Sequence, residues 1–471
     1  MEALFDGLTT TTGALLVVSL LVAFGFEFVN GFHDTANAVA TVIYTRSLRP
    51  WTAVVLSGIC NFLGVFIGGI AVALSIINLL PVELLVASGV GAGLAMILAL
   101  LLSAITWNLG TWYFGLPASS SHTMIGAILG VGVANSLLPG HEFGSGVNWA
   151  KAGDVGLALL VSPIIGFSLA ALLLLLAKRL IRDDQLYRPP VGTRPPPPWI
   201  RGLLVFTCTG VSFAHGSNDG QKGVGLVMLI LMGIVPFGFA INLELGTPEM
   251  QRAERAVVTI HESLAGAEVK TPEARTKLAE VEDELASLKT TLGTAALPRE
   301  VPAEQRFQVR KDILLIDSTL KKLEQQGALA LPQEKADKLA AARKDIRALT
   351  DYAPGWVLFC VALSLGVGTM VGWKRIVVTV GEKIGKDHLS YGQGAAAELV
   401  AMSTIGLSAG LGLPVSTTHV LSSGIAGTMV AQGSGLQRST VMKILSAWVL
   451  TLPVSMLLAG VLFLVFRAML T

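Results

Sequence analysis

Apolar residues dominate ten stretches of the chain, at 14–43, 51–78, 84–112, 117–137, 157–180, 203–242, 355–373, 389–411, 414–433 and 444–469. Nearly all reach the ~20 residues that carry a helix across a bilayer. None shows the period-two alternation of barrel strands, and lipid tolerates only helices or closed barrels as spanning elements. The pattern therefore predicts an all-α polytopic membrane protein with about ten membrane segments, some of them broken or re-entrant. Two intervals interrupt it. Residues 183–199, DDQLYRPPVGTRPPPPW, are proline-rich, are not expected to be helical, and read as a stiff extended linker. Residues 243–352 turn polar and charged, with apolar positions at helical spacing in AEVEDELASLKTTL and RKDILLIDSTLKKLEQQ. Prolines in KTPEAR and LPQEKA mark helix starts, so about four amphipathic helices outside the membrane are expected there.

The chain also repeats itself. Gly31-Phe32-His33-Asp34 aligns with Gly216-Ser217-Asn218-Asp219, and GLPASSSHTMIGAILG (115–130) aligns with GLPVSTTHVLSSGIAG (412–427). Asp219 follows Asp34 by 185 residues and Ser416 follows Ser119 by 297, a difference of 112 that nearly equals the length of the 243–352 interval. A duplicated unit with an insertion in its second copy accounts for both spacings. Five membrane segments per copy make the copies inverted, the architecture of secondary transporters, with the substrate site at the repeat interface. The expected division is membrane repeat 1 at 1–182, a proline-rich cytoplasmic linker at 183–200 and the start of repeat 2 at 201–242. A helical periplasmic insertion at 243–352 follows, then the remainder of repeat 2 at 353–471.

Charge sets the orientation rather than the partner. Charged residues make up 14% of the chain and the net charge is only +2. Arg46 and Arg49 follow the first segment, and Lys178, Arg179, Arg182, Arg188, Arg194 and Arg201 cluster after the fifth. Lys374, Arg375, Lys383 and Lys386 follow the seventh, and Arg438 and Lys443 the ninth, so basic connections alternate with non-basic ones. By the positive-inside rule both termini lie outside. The long charged insertion is exempt from that rule. The N-terminus lacks a basic n-region, so the first apolar run is expected to be retained. Cys60, Cys208 and Cys360 are widely spaced within apolar runs, which suggests buried thiols rather than a disulfide or zinc framework. Nothing in the composition points to nucleic acid.

The chemistry concentrates at the repeated motifs. An ionised aspartate at membrane depth costs at least ~2.5–3.5 kcal/mol. Asp34 and Asp219 recur at matching positions beside small residues that break helices. Solvation near an interface is the alternative reading, and the repetition weighs against it. Ser119, Ser120 and Ser121 open one helix, and Ser416, Thr417 and Thr418 open its counterpart. Hydroxyls at a helix N-terminus can hold an oxyanion with the free N–H groups. Plain N-capping would need only one of the three. Carboxylates beside an anion require a cation between them, so Asp34, Asn37, Asn218 and Asp219 are candidate cation ligands and cation-coupled anion transport follows. Lys222, at the position of Asn37, either neutralises Asp219 or touches the substrate. His33 and Glu27 are proton-path candidates, although a buried histidine bonded to backbone fits His33, His122 and His419 equally well. Glu27 matches Ser212, and Glu398 also lacks a duplicated partner. Segments 84–112 and 117–137 are two spans or a hairpin entering and leaving on one side; the hairpin would bring Ser120 to Asp34 at mid-membrane.

With NGFHDTANAVATVIYTR, GLPASSSHT, HGSNDGQKG and GLPVSTTHVLSS, the chain resembles the inorganic phosphate transporter (PiT) family and, within it, the bacterial low-affinity PitA type, over nearly its whole length. The resemblance implies symport of inorganic phosphate with a cation in a bacterial inner membrane. In the PitA type this is a proton carried with a neutral divalent metal–phosphate complex (magnesium or calcium), and other members use sodium. No tightly bound cofactor is implied, and a homo-oligomer is possible. Family binding residues fall on Asp34 and Asn37, Ser120 and Ser121, Asp219 and Gln221, and Thr417 and Thr418. The family pattern has Asn-Asp followed by Val-Ala-Asn in both copies. Here His33 replaces the first asparagine and Gly220-Gln221-Lys222 stands in copy two, changes that favour proton coupling. The rival readings are a sodium–phosphate symporter, a membrane enzyme acting on phosphorylated lipids through His33 and Asp34, and an interaction protein that binds a partner through 243–352.

Overall fold

Lipid offers the backbone no hydrogen bonds, so each apolar run satisfies its own peptide groups as a helix. The computed structural model describes residues 8–77, 89–140, 143–144, 147, 149–192 and 194–470. In chain order the helices are α1 (Thr10–Tyr44), α2 (Pro50–Ile67), α3 (Ala71–Ile77), α4 (Gly89–Tyr113), α5 (Ser120–Ser136), α6 (Trp149–Leu180), α7 (Pro198–His215) and α8 (Gln221–Ile234). Then come α9 (Thr247–Leu264), α10 (Pro272–Leu292), α11 (Ala303–Gln325) and α12 (Gln333–Arg347), followed by α13 (Gly355–Thr369), α14 (Lys374–Glu382), α15 (Tyr391–Gly410), α16 (Thr417–Gln432) and α17 (Arg438–Leu470). Among the described residues, α1, α2, α6, α17 and residues 91–113 of α4 are long and apolar enough to cross a membrane. The pair α13–α14, bent by 63°, forms one further candidate span. The chain is an all-α polytopic membrane protein.

Several segments are less regular than their apolar patterns suggest. The run 51–78 breaks after Ile67, where Gly69 takes a φ of +83°, and resumes as α3. The run 203–242 is interrupted by a π-helical turn, Gly216–Gly220, and α8 stops at Ile234 ahead of Pro236. The proline-rich linker is not fully extended. Asp183 caps a 3₁₀ turn, Asp184–Tyr187, whose Leu186 is buried in the membrane unit's core. Tyr187 is tied down as well, its hydroxyl donating to Ile181 O and its carbonyl accepting from Gln432 Nε2. The prolines dominate only from Pro189 onward, which is why composition alone misreads the first half.

Two compact units emerge: Ala14–Ile230 with Pro354–Thr471, and Leu231–Ala353 with the first residues of the chain. In the larger unit, α6 packs on α16 and α17 packs on α5, the two helices that begin with the hydroxyl triplets. Side chains such as Leu160, Ile164, Leu457 and Val461 point outward from α6 and α17, as lipid-facing positions should. Helix α2 crosses α7 where Gly64 faces Phe213 O and Gly216 faces Asn61 O; a Cβ on either glycine would overlap that backbone. The smaller unit holds the four amphipathic helices α9–α12 around its own core, including Ile260, Leu285, Ile313 and Ile346. A two-residue β-ladder joins Glu268–Val269 to Leu329–Ala330.

Candidate functional site

The hydroxyl triplets begin helices as expected. Ser119 Oγ accepts from His122 N at 3.2 Å, and Ser416 Oγ accepts from His419 N at 3.1 Å. One residue of each triplet therefore suffices for the cap, and the remaining hydroxyls are left for other work. Ser120 Oγ donates to Asp34 Oδ2 at 2.6 Å and lies 3.4 Å from Asp219 Oδ2. Thr418 Oγ1 donates to Asp34 Oδ1 at 2.7 Å. The α5 and α16 starts thus converge on the α1 acid, and Ser120 links it to the acid of the π-helical turn. All four side chains are buried.

The second acid is paired with a buried lysine. Lys222 Nζ lies 2.9 Å from Asp219 Oδ2 and also donates to Ser121 Oγ, which in turn donates to Val415 O at 2.9 Å. His215, one turn before Asp219, places Nε2 3.6 Å from Asp219 Oδ2, and its Nδ1 meets Asn61 Oδ1 at 3.0 Å. Ligand atoms of Asp34, His215 and Asp219 lie within 4.8 Å of one another, a spacing that a single cation could span. Among the described residues, Asp219 Oδ1 and Thr417 Oγ1 are buried without a hydrogen-bond partner. A buried acceptor left unmet is costly unless a ligand serves it.

Other candidates are placed differently. Asn218 spends its amide on backbone, donating to Leu413 O at 3.0 Å and accepting from Val415 N at 3.4 Å. Gln221 braces the break between α2 and α3, accepting from Val72 N at 2.7 Å and donating to Gly68 O at 3.1 Å and to Ser217 O. His33 uses both ring nitrogens, toward Asp34 Oδ1 at 3.1 Å and Thr111 Oγ1 at 3.0 Å. The Asn37 side chain lies outside the described residues. Glu27 is fully buried but does not join the Asp34–Asp219 cluster; Asn30 Nδ2 donates to its Oε2 at 3.3 Å. Glu398, also buried, accepts from the hydroxyls of Thr41 and Thr207. Rings of His122 and His419 lie tilted at 34° with centroids 4.6 Å apart, and His419 stacks on Trp448.

Sequence reading overlooked His215, Thr111 and Asn61. His215 had a usable signal, since it stands four residues before Asp219 and so shares its helical face. Thr111 and Asn61 have none, because only tertiary packing brings them to His33 and His215.

The chain matches the phosphate transporter family (PHO4) over residues 30–459. The low-affinity inorganic phosphate transporter PitB of Escherichia coli (strain K12) is 44% identical over 491 aligned positions, covering 98% of each chain. PitA of the same strain matches with the same identity and coverage. The low-affinity inorganic phosphate transporter of Buchnera aphidicola subsp. Acyrthosiphon pisum is 40% identical, covering 95% of this chain and 96% of its own. A solved structure, "The sodium-dependent phosphate transporter", shares the fold with a TM-score of 0.56 at 18% identity, covering 97% of this chain and 100% of its own. The family match runs through both acids and both hydroxyl triplets, and the chain belongs to the phosphate transporter family.

Proposed function

We propose that this protein imports inorganic phosphate across a bacterial inner membrane by cation symport, with phosphate entering as a divalent metal complex (magnesium or calcium) and a proton as the driving ion. The observation that carries this reading is the Ser120 hydroxyl between Asp34 and Asp219, which come from the two copies. Two carboxylates meeting one hydroxyl would repel an anion, and a cation between them turns repulsion into attraction. Asp219 Oδ1, unmet among the described residues, is an acceptor for that cation. Thr417 Oγ1 and the N-termini of α5 and α16 supply donors for phosphate, with Ser121 and Lys222 alongside. The full-length relatives are named as transporters, so the chain is a transporter rather than an enzyme acting on lipids.

The same reading places the two copies in opposite orientation and both termini in the periplasm, with α4 and α5 as a hairpin that delivers Ser120 to Asp34. Phosphate uptake by the full chain in proteoliposomes tests it, with magnesium, sodium and the proton gradient varied independently. Uptake is expected to need magnesium and an inward proton gradient. Asp34→Asn and Asp219→Asn should each lower it by roughly 10- to 100-fold, the loss of a charge-assisted interaction. Normal uptake by both variants would overturn the proposal. Sodium coupling is the second reading, favoured by the oxygen donors of Asp34, Ser120 and Thr418, which suit a hard monovalent cation. It predicts uptake driven by sodium without a pH gradient.

A further inference from the structure

We propose that Glu27 carries the coupled proton, and that its seat against Gly223 ties proton release to movement of the segment bearing Asp219. The inference rests on the proton-coupled reading above. Glu27 stands seven residues before Asp34 on α1 and is fully buried. Its hydrogen-bond supply is thin: one donor, Asn30 Nδ2 at 3.3 Å on Oε2, while Oε1 has no partner among the described residues. The other intramembrane candidates are fully engaged. His33 uses both ring nitrogens, and each oxygen of Glu398 takes a threonine hydroxyl.

The carboxyl occupies a notch in the second copy. A methyl group at position 223 would overlap Glu27 Cγ, Cδ and Oε1, so glycine at this point on α8 is what makes room for the acid. Gly223 directly follows Lys222 and comes four residues after Asp219, and Glu27 therefore touches the segment that holds the second half of the cation cluster. The charged groups that act electrostatically on Glu27 are Asp219 and Lys222 from that segment and Asp34 on its own helix. At the matching position 212 stands a serine, which bonds Ser57 Oγ and Cys208 O.

An ionised carboxylate sealed in this notch with one long hydrogen bond is expensive. The closed notch therefore holds the acid form. Hydronium on the outer side transfers a proton to Oε1, its own O–H bond breaking to leave water as the carboxyl O–H bond forms. When α8 shifts and opens the notch inward, that bond breaks and inner water takes the proton as hydronium. The carboxylate is then restored for the next cycle.

The test uses the full chain in proteoliposomes with magnesium and phosphate, comparing net uptake driven by a pH gradient with phosphate–phosphate exchange, which moves no net proton. Glu27→Gln is expected to lower net uptake by more than about 30-fold, to lower exchange by less than about 3-fold, and to flatten the pH profile of exchange. Gly223→Ala should impair both activities, and Glu27→Ala combined with Gly223→Ala should recover exchange but not proton-driven accumulation. That rescue separates a coupling role from simple misfolding. Wild-type pH dependence and accumulation in Glu27→Gln would overturn the assignment while leaving proton coupling intact. A wild-type protein indifferent to the pH gradient would overturn both.

Discussion

Each ionised side chain at the centre of the site survives burial through a specific partner, and removing one partner exposes the cost. Lys222 and Asp219 are both buried and separated by 2.9 Å. Lys222→Met leaves the carboxylate without its cation, and breaking a buried pair in this way destabilises by about 3–5 kcal/mol. The double variant Asp219→Asn, Lys222→Met removes both charges and should regain most of that stability. Thermal unfolding of the detergent-purified variants measures the difference, and the expected order is wild type, double variant, then Lys222→Met. On the proposed reading, phosphate uptake should be impaired in both, through the missing lysine in Lys222→Met and through the missing carboxylate as well in the double variant. At this scale the sequence was informative about Asp34, Asp219 and the triplets, since acids and paired hydroxyls in apolar runs have few benign uses. It was uninformative about which donors bind ligand and which bind backbone. Asn218, a candidate ligand by residue type, and Gln221, a candidate by family resemblance, use their amides to brace the chain around Val415 and Gly68.

A broken helix positions Asp219, whereas Asp34 sits within the continuous α1, and tight helix crossings hold the break. The π-helical turn Gly216–Gly220 lies against α2 where Gly64 and Gly216 let the backbones touch. Gly64→Ala would force a Cβ into Phe213 O and Ser217 N, displacing the turn that carries Asp219. A loss of about 1–3 kcal/mol is expected from such overpacking, together with reduced uptake. Gly25→Ala is the control: no atom lies within 4 Å of its added Cβ, and the change should be within about 1 kcal/mol of wild type. Equal effects of the two substitutions on unfolding and uptake would show that the crossing does not position the site. Hydropathy marked where these segments lie but not where they break, because a π turn buried against a neighbouring helix is as apolar in its surroundings as the helix around it. Small residues beside both acids predict two breaks, yet only the Asp219 segment departs from an α-helix. Helix α1 runs through Asp34 unbroken, so the small-residue signal needs its partner helix before it can be interpreted.

At the scale of the whole molecule, the membrane unit and the α9–α12 unit follow different physics. In the first, α6 packs on α16 and α17 on α5, so helices far apart in sequence share one frame around the acids. The second has helix caps, amphipathic faces and a core of its own, legible in the sequence through the apolar spacing and the prolines at 272 and 332. It should fold as an isolated fragment of residues 243–352. Its acid pair provides a pH signature outside the membrane. Partial burial, a hydrogen bond to Asp312 and the nearby charge of Asp312 push Glu284 up to about 6. The folded fragment then retains a proton that the unfolded chain, with an ordinary glutamate near 4.5, has already released. Stability must therefore fall as pH rises from about 4.5 to about 6 and level off above, the linkage sign of a raised carboxyl. Glu284→Gln keeps the hydrogen-bonding amide, removes the titration and should flatten that slope. Urea unfolding of the fragment at several pH values, followed by circular dichroism, measures it, and a wild-type stability that rises over this window would exclude the Glu284–Asp312 contact as its source.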